Sequence, residues 1–108
     1  MDKNKLRLED ILNSIGNIES FLQNKRFEDI NTDLLLQSAI MAQLMILGEA
    51  ANRISNDFKS LHPNVEWQKA TDMRNVLIHE YFGIEWKIVW DTINEDLPKL
   101  KDQIKQIQ

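Results

Sequence analysis

The sequence predicts an all-α protein, an antiparallel four-helix bundle, from its composition and its hydrophobic pattern. Glycine and proline contribute only three and two residues to a chain of 108, so few positions stop a helix. The good helix formers Leu, Ile, Glu, Lys and Gln are abundant. Apolar residues recur at helical spacing, and strand-like alternation is absent over any useful length. A chain of this length forms about one domain, so residues 1–108 are expected to fold as one.

The first and the last predicted helices each have one apolar face. The first runs from about Leu6 to Gln23, and the last runs from about Glu85 towards the C-terminus. Pro98 removes a backbone donor and clashes with the preceding turn, so we expect a kink there, or a break followed by a short extra helix. The apolar positions are Leu8, Ile11, Leu12, Ile15, Ile18 and Leu22 in the first helix, and Trp86, Val89, Trp90, Ile93, Leu97, Leu100, Ile104 and Ile107 in the last.

The second predicted helix, about Asp33 to Asn56, is apolar over most of its circumference. Asn31 or Thr32 is the expected N-cap, with Asp33 in the first turn. A small bundle covers only part of such a helix, so a partner subunit is expected to cover the rest, as a homodimer. One apolar stripe contains Leu36, Ile40, Leu44, Leu47, Ala51 and Ile54; a second contains Leu35, Ala39, Ala42, Ile46 and Ala50, widened by Met41 and Met45.

The absence of certain residues and segments narrows the protein class. The chain has no cysteine, which excludes disulfides, a thiolate zinc site and a cysteine nucleophile. The N-terminus does not resemble a secretory signal. The run from Ala39 to Leu47 is interrupted by Gln43 and is too short for a membrane span. We therefore expect a cytoplasmic protein without a membrane partner.

The predicted chemistry lies at the end of the third helix, which follows a loop at His62 and runs from about Glu66 to Tyr81, with Gly83 as its stop. Arg74 and His79 lie about 140° apart on an ideal helix and can flank one groove. Asn75 shares a face with His79, and Tyr81 lies close to the azimuth of Arg74. The last two turns thus carry a guanidinium, an amide, an imidazole and a phenol.

Each of these groups suits a phosphodiester substrate. Arg74 is always charged and can bind phosphate oxygens through two donors, and it can stabilise the charge of a pentacoordinate transition state. His79 titrates near neutrality and can move a proton at a ribose 2′-hydroxyl or a leaving 5′-oxygen. From the residues alone, a capped and solvated helix end remains the alternative. His62, a loop histidine before a proline, fits a structural role, and the histidines have no metal-ligand spacing.

The run RNVLIHEY at positions 74–81 resembles the R-x4-6-H motif of HEPN ribonucleases, in the R-N-x3-H-x-Y form of HepT toxins. Further segments match in the correct order. They are LGEAA at 47–51, the His62-Pro63 to Trp67 segment, FG at 82–83 and DLPKL at 96–100. The net charge of −4 argues against extensive RNA contacts, which need a basic surface, but it does not exclude a local RNA-cleaving site.

This resemblance implies a HEPN fold and a metal-independent ribonuclease without a cofactor. Arg74 and His79 would be the catalytic pair, with a 2′,3′-cyclic phosphate as product, and Asn75 an accessory residue. Glu49 would orient Arg74, unless it is an ordinary helix-surface glutamate. Tyr81 would accept AMP from a cognate minimal nucleotidyltransferase antitoxin, unless it only packs the helix end.

The resemblance also implies a dimer in which both motifs line one cleft that receives the RNA substrate. A toxin–antitoxin pair of the type VII kind is the leading interpretation. One alternative is a non-catalytic helical module that binds a nucleotide or a nucleotidyltransferase partner, and another is a structural helical bundle with no activity.

Overall fold

The computed structural model describes the backbone of residues 2–79 and 83–108 and the side chains of residues 2–75 and 83–108. Within these ranges the secondary structure consists of six helices and contains no strand, which confirms the all-α prediction. The four long helices correspond to the four predicted from the sequence. The helices are α1 (Lys3–Phe21), α2 (Phe27–Thr32), α3 (Leu34–Arg53), α4 (Asn56–Leu61), α5 (Trp67–His79) and α6 (Trp86–Ile107).

Helix α3 is the centre of the bundle, because α1 and α5 both pack along it while α6 packs against α1 and α2. The first predicted stripe of α3 is buried throughout. Burying a Leu or Ile side chain contributes about 1.5–3 kcal/mol, so this stripe holds the bundle together. The core also includes Leu8, Ile11, Ile15 and Ile18 of α1 and Val89, Ile93, Leu97, Leu100 and Ile104 of α6.

The outer face of α3 is apolar and exposed, unlike its inner face. Leu35 of the second predicted stripe is 80% exposed, and its neighbour Leu34 is 74% exposed. Met45 and Ile46 are 43% and 48% exposed. We call these four residues the outer face of α3.

Two short helices, α2 and α4, were not predicted, because six residues are too few to show an apolar period. Asn31 and Thr32 belong to α2, so the predicted N-cap of the next helix was wrong by one residue or two. Asp33 itself caps α3, and its side chain accepts hydrogen bonds from the backbone N–H groups of Leu35 and Leu36 at 3.0 and 3.2 Å.

Helix α6 continues through Pro98, so a break at this proline does not occur. The carbonyl that loses its donor is that of Asn94, four residues earlier. Both residues are exposed, so water can replace the missing donor. The unpaired carbonyl therefore lies on the solvent side of the helix, where the loss of its hydrogen bond destabilises the helix least.

The end of α5 is described only as far as His79. The predicted end at Tyr81 lies outside the described residues. Gly83, the predicted stop, directly follows residues that lie outside the described part of the chain, so its role as a stop stays a prediction.

Helix α3 is also long and apolar enough to cross a membrane by length and composition, with a mean hydropathy of 1.5 over its most apolar 18 residues. The expectation from Ala39 to Leu47 alone, that no segment reaches this length, was too strict. A core helix of a bundle has the same composition, and α3 is in contact with α1 and α5 along its length.

Candidate active site

The site is built where α3 and α5 approach each other most closely, at Gly48. A Cβ atom on Gly48 would lie 2.3 Å from the Cβ of Arg74, 3.0 Å from the Arg74 nitrogen and 3.2 Å from the carbonyl oxygen of Ala70. Only glycine leaves room for this crossing. It brings the next residue of α3, Glu49, within reach of the Arg74 side chain.

Two neighbours determine the orientation of the Arg74 guanidinium. Its Nη1 donates to Oε2 of Glu49 at 2.5 Å. Its Nε and Nη2 both donate to the amide oxygen of Asn75, at 3.3 and 3.0 Å. A guanidinium has five N–H donors, so these contacts leave one donor on each terminal nitrogen among the described residues. Two donors on neighbouring nitrogens match the oxygens of a phosphate.

Glu49 is shared between two arginines. Its Oε1 accepts from Nε of Arg53 at 2.8 Å, while Oε2 accepts from Arg74. The hydrogen bond from Arg53, followed by that from Arg74, lowers the pKa of Glu49 below its ordinary value of 4.5. The carboxylate therefore stays ionised at neutral pH and can hold both cations in place.

A groove of about 450 Å³ opens beside these residues, between α1, α3 and the Arg74 side of α5. Arg7 and Asp10 of α1 form one wall, and they make an ion pair at 3.7 Å. The other lining residues are Met45, Ile46, Glu49, Ala50, Arg53 and Arg74. The groove thus combines apolar surface with several guanidinium groups, which suits an anionic ligand that also has apolar parts.

Three of the predicted site residues lie together: Arg74, Asn75 and Glu49 are in direct contact. Their catalytic or accessory roles remain predictions. His79 is the last described residue of α5, but its side chain lies outside the described residues, and so does all of Tyr81.

His62 has the structural position expected of it. Its ring lies 4.7 Å from that of Phe58, and its carbonyl accepts from Trp67 Nε1 at 3.0 Å.

Arg53 and Arg7 are site residues that the sequence reasoning missed. The sequence does contain a signal for Arg53, because a residue four positions after Glu49 on a helix shares its face. Arg7 had none, because only the packing of α1 against α3 brings it to the groove.

The fold and the site define an all-helical protein that holds an oriented arginine, supported by a carboxylate and an amide, at the edge of a groove. The family model for HepT-like ribonucleases ("Ribonuclease HepT-like") matches residues 11–107. The chain belongs to the HepT-like ribonuclease family.

Relatives match along nearly the whole chain. The "Probable ribonuclease HepT" of Thermococcus cleftensis is 43% identical over 101 residues, which are 94% of this chain and 92% of the relative. The protein named "Putative RNase MJ1380" in Methanocaldococcus jannaschii is 36% identical over 94% of this chain and 93% of its own length. No solved structure matches the chain significantly.

Proposed function

We propose that the protein is a metal-independent endoribonuclease toxin that uses Arg74 and His79. The observation that carries this proposal is the double anchoring of Arg74 by Glu49 and Asn75 at the edge of a groove, in a chain of the HepT-like ribonuclease family. An arginine held in this way loses little side-chain freedom when it binds a phosphate, so its charge is available to the transition state without reorganisation.

In the proposed reaction, His79 takes the proton from a ribose 2′-hydroxyl, and the 2′-oxygen attacks the adjacent phosphorus. The bond from phosphorus to the 5′-oxygen breaks, and that oxygen takes up a proton from solvent, to which the protonated His79 then returns the proton it accepted. The products are a 2′,3′-cyclic phosphate and a 5′-hydroxyl end. Arg74 stabilises the additional negative charge on the phosphoryl oxygens during the step. General acid–base catalysis of this kind typically contributes about 10²–10⁴-fold.

The proposal includes a homodimer formed through the outer face of α3. Leu34 and Leu35 are among the most exposed large apolar side chains of the described residues. Met45 and Ile46 extend the same face to the edge of the groove. Covering this surface with a second copy removes it from water and places the two grooves near each other.

We further propose a minimal nucleotidyltransferase as the antitoxin, with Tyr81 as the AMP acceptor, in a cytoplasmic type VII toxin–antitoxin system. Support comes from the position of Tyr81 two residues after His79 and from the motif spacing. A phosphate attached there could pair with Arg74 and occupy the place of the RNA phosphate. Inhibition would then be steric and electrostatic.

The experiment compares the wild type with Arg74→Ala and His79→Ala on single-stranded RNA, with and without EDTA. The wild type should cleave in both conditions and leave 2′,3′-cyclic phosphate ends, and neither variant should cleave. Arg26→Ala is the matched control, because Arg26 is exposed and lies outside the groove. Circular dichroism should show the same helix content for all proteins.

Two results would contradict the proposal. Cleavage that EDTA abolishes and added metal restores would refute the metal-independent mechanism. A wild type that binds a nucleotidyltransferase but cleaves no RNA would instead support the non-catalytic module.

A further inference from the structure

The distribution of arginine over this acidic protein is uneven. The chain has four arginines and a net charge of −4. Three of the four, Arg7, Arg53 and Arg74, line the same groove, although they come from three different helices. None of the lysines lines it. Arginine is the residue best suited to phosphate, because its planar fork binds two oxygens at once and is weakly hydrated.

Among the described residues, the carboxylates that line the groove are fewer than its arginines. Three arginines face two acidic residues there, Asp10 and Glu49. Asp10 contacts Arg7 only at 3.7 Å, and Glu49 has to serve both Arg53 and Arg74. A bound phosphate would neutralise the positive charge that these two carboxylates leave.

The two arginines that share Glu49 can contact neighbouring phosphates. Arg53 Nε and Arg74 Nη1 each contact one oxygen of the same carboxylate, so they lie at most about 7.5 Å apart, two hydrogen bonds and one carboxylate. The Arg53 side chain is 57% exposed and uses only its Nε in this contact, so its terminal nitrogens can reach a ligand.

We propose that Arg53 and Arg7 form a binding subsite for the phosphates next to the scissile one, and that the substrate is therefore a single strand of RNA lying along the groove. The inference rests on the proposed ribonuclease function and specifies how its substrate is held. A groove of about 450 Å³ is within the range of pockets that enclose one small molecule, about 300–1,000 Å³. It can hold one or two nucleotides of a strand at a time.

The test is equilibrium binding of a fluorescent single-stranded RNA oligonucleotide at a series of salt concentrations. All proteins carry His79→Ala, so the probe stays intact. Onto this background are added Arg53→Gln, Arg7→Gln, Arg53→Lys and the control Arg26→Gln, which has the same charge change outside the groove. Each phosphate contact that is lost should reduce the slope of log K against log salt by about 0.7 and weaken binding about three- to tenfold.

We expect this reduction for Arg53→Gln and Arg7→Gln but not for Arg26→Gln. Arg53→Lys should keep the slope, because it keeps the charge. Unchanged slope and affinity in both glutamine variants would overturn the subsite, and so would an equal loss in the Arg26 control. RNA cleavage by the wild type is measured separately. Cleavage combined with unchanged slopes would overturn the subsite but support the ribonuclease function. Altered slopes without cleavage would support the subsite but overturn the ribonuclease function.

Discussion

The substitution Gly48→Ala tests whether the close crossing of α3 and α5 is what builds the site. The new Cβ would lie 2.3 Å from the Cβ of Arg74, and ordinary contact begins at 3.4 Å, so the helices must separate locally by about 1.1 Å. The obstructing atoms are a Cβ, a backbone nitrogen and a backbone carbonyl oxygen. None of them can be relieved by rotating a side chain.

Two opposing effects set the size of the stability change. Replacing glycine in a helix by alanine stabilises by about 0.5–1 kcal/mol. Overpacking a close-packed contact destabilises by about 1–3 kcal/mol. The net expectation for Gly48→Ala is a loss of between zero and about 2.5 kcal/mol. Gly16→Ala is the matched control, because Gly16 lies in α1 with nothing within 4 Å of its added Cβ. Gly16→Ala should therefore be stabilised by the higher helix propensity of alanine, with no opposing overpacking.

Thermal unfolding at one protein concentration measures the difference between the two variants. Each kcal/mol corresponds to about 4–8 °C in a domain of this size. Cleavage should fall about 10²-fold in Gly48→Ala, since a displacement of about 1 Å misplaces Arg74 relative to its substrate. If Gly48→Ala is as stable as Gly16→Ala and cleaves like the wild type, the close crossing does not position the arginine, and the reasoning fails.

Four further predictions address the groove, the dimer and the modification. Arg74→Lys should cleave poorly despite its charge, because an ammonium cannot contact Glu49 and a phosphate through a planar fork; a wild-type rate would contradict this. Hydrogen bonds from Arg53 and then Arg74 lower the pKa of Glu49, so its contribution to stability is complete above about 4.5 and is lost as the pH falls through the lowered pKa. The melting temperature of Glu49→Gln should thus lie below that of the wild type at pH 7 and converge with it well below pH 4.5; a pH-independent gap would refute the ionic role. Leu35→Glu, on the outer face of α3, should sediment as a monomer at micromolar concentration while the wild type sediments as a dimer. Tyr81→Phe should remain toxic beside the nucleotidyltransferase and carry no AMP by intact-mass measurement; an adduct on this variant would place the modification elsewhere.

The helical periodicity of apolar residues was sufficient to predict α1, α3 and α6 and the buried stripe of α3, whereas α5 was predicted from the loop at His62 and the glycine at position 83 that flank it. This signal is local, because side chains three and four positions apart share a helix face wherever the helix lies. It missed α2 and α4, because six residues are too few to show an apolar period. At Pro98 the sequence left a kink or a break open, and α6 continues through the proline on a side that faces water.

The motif in positions 74–81 and the segment at 47–51 could be recognised in the sequence. The sequence did not show why these two segments form one site. The tertiary structure supplies that reason. The absent side chain of Gly48 lets α3 and α5 approach, and this approach brings Glu49 to Arg74 across 25 positions of the chain. The packing of α1 against α3 brings Arg7 to the groove, which neither its spacing nor its neighbours in sequence could show. Periodicity determines which face of a helix is apolar, whereas only the crossing of two helices decides which polar residues on their edges meet.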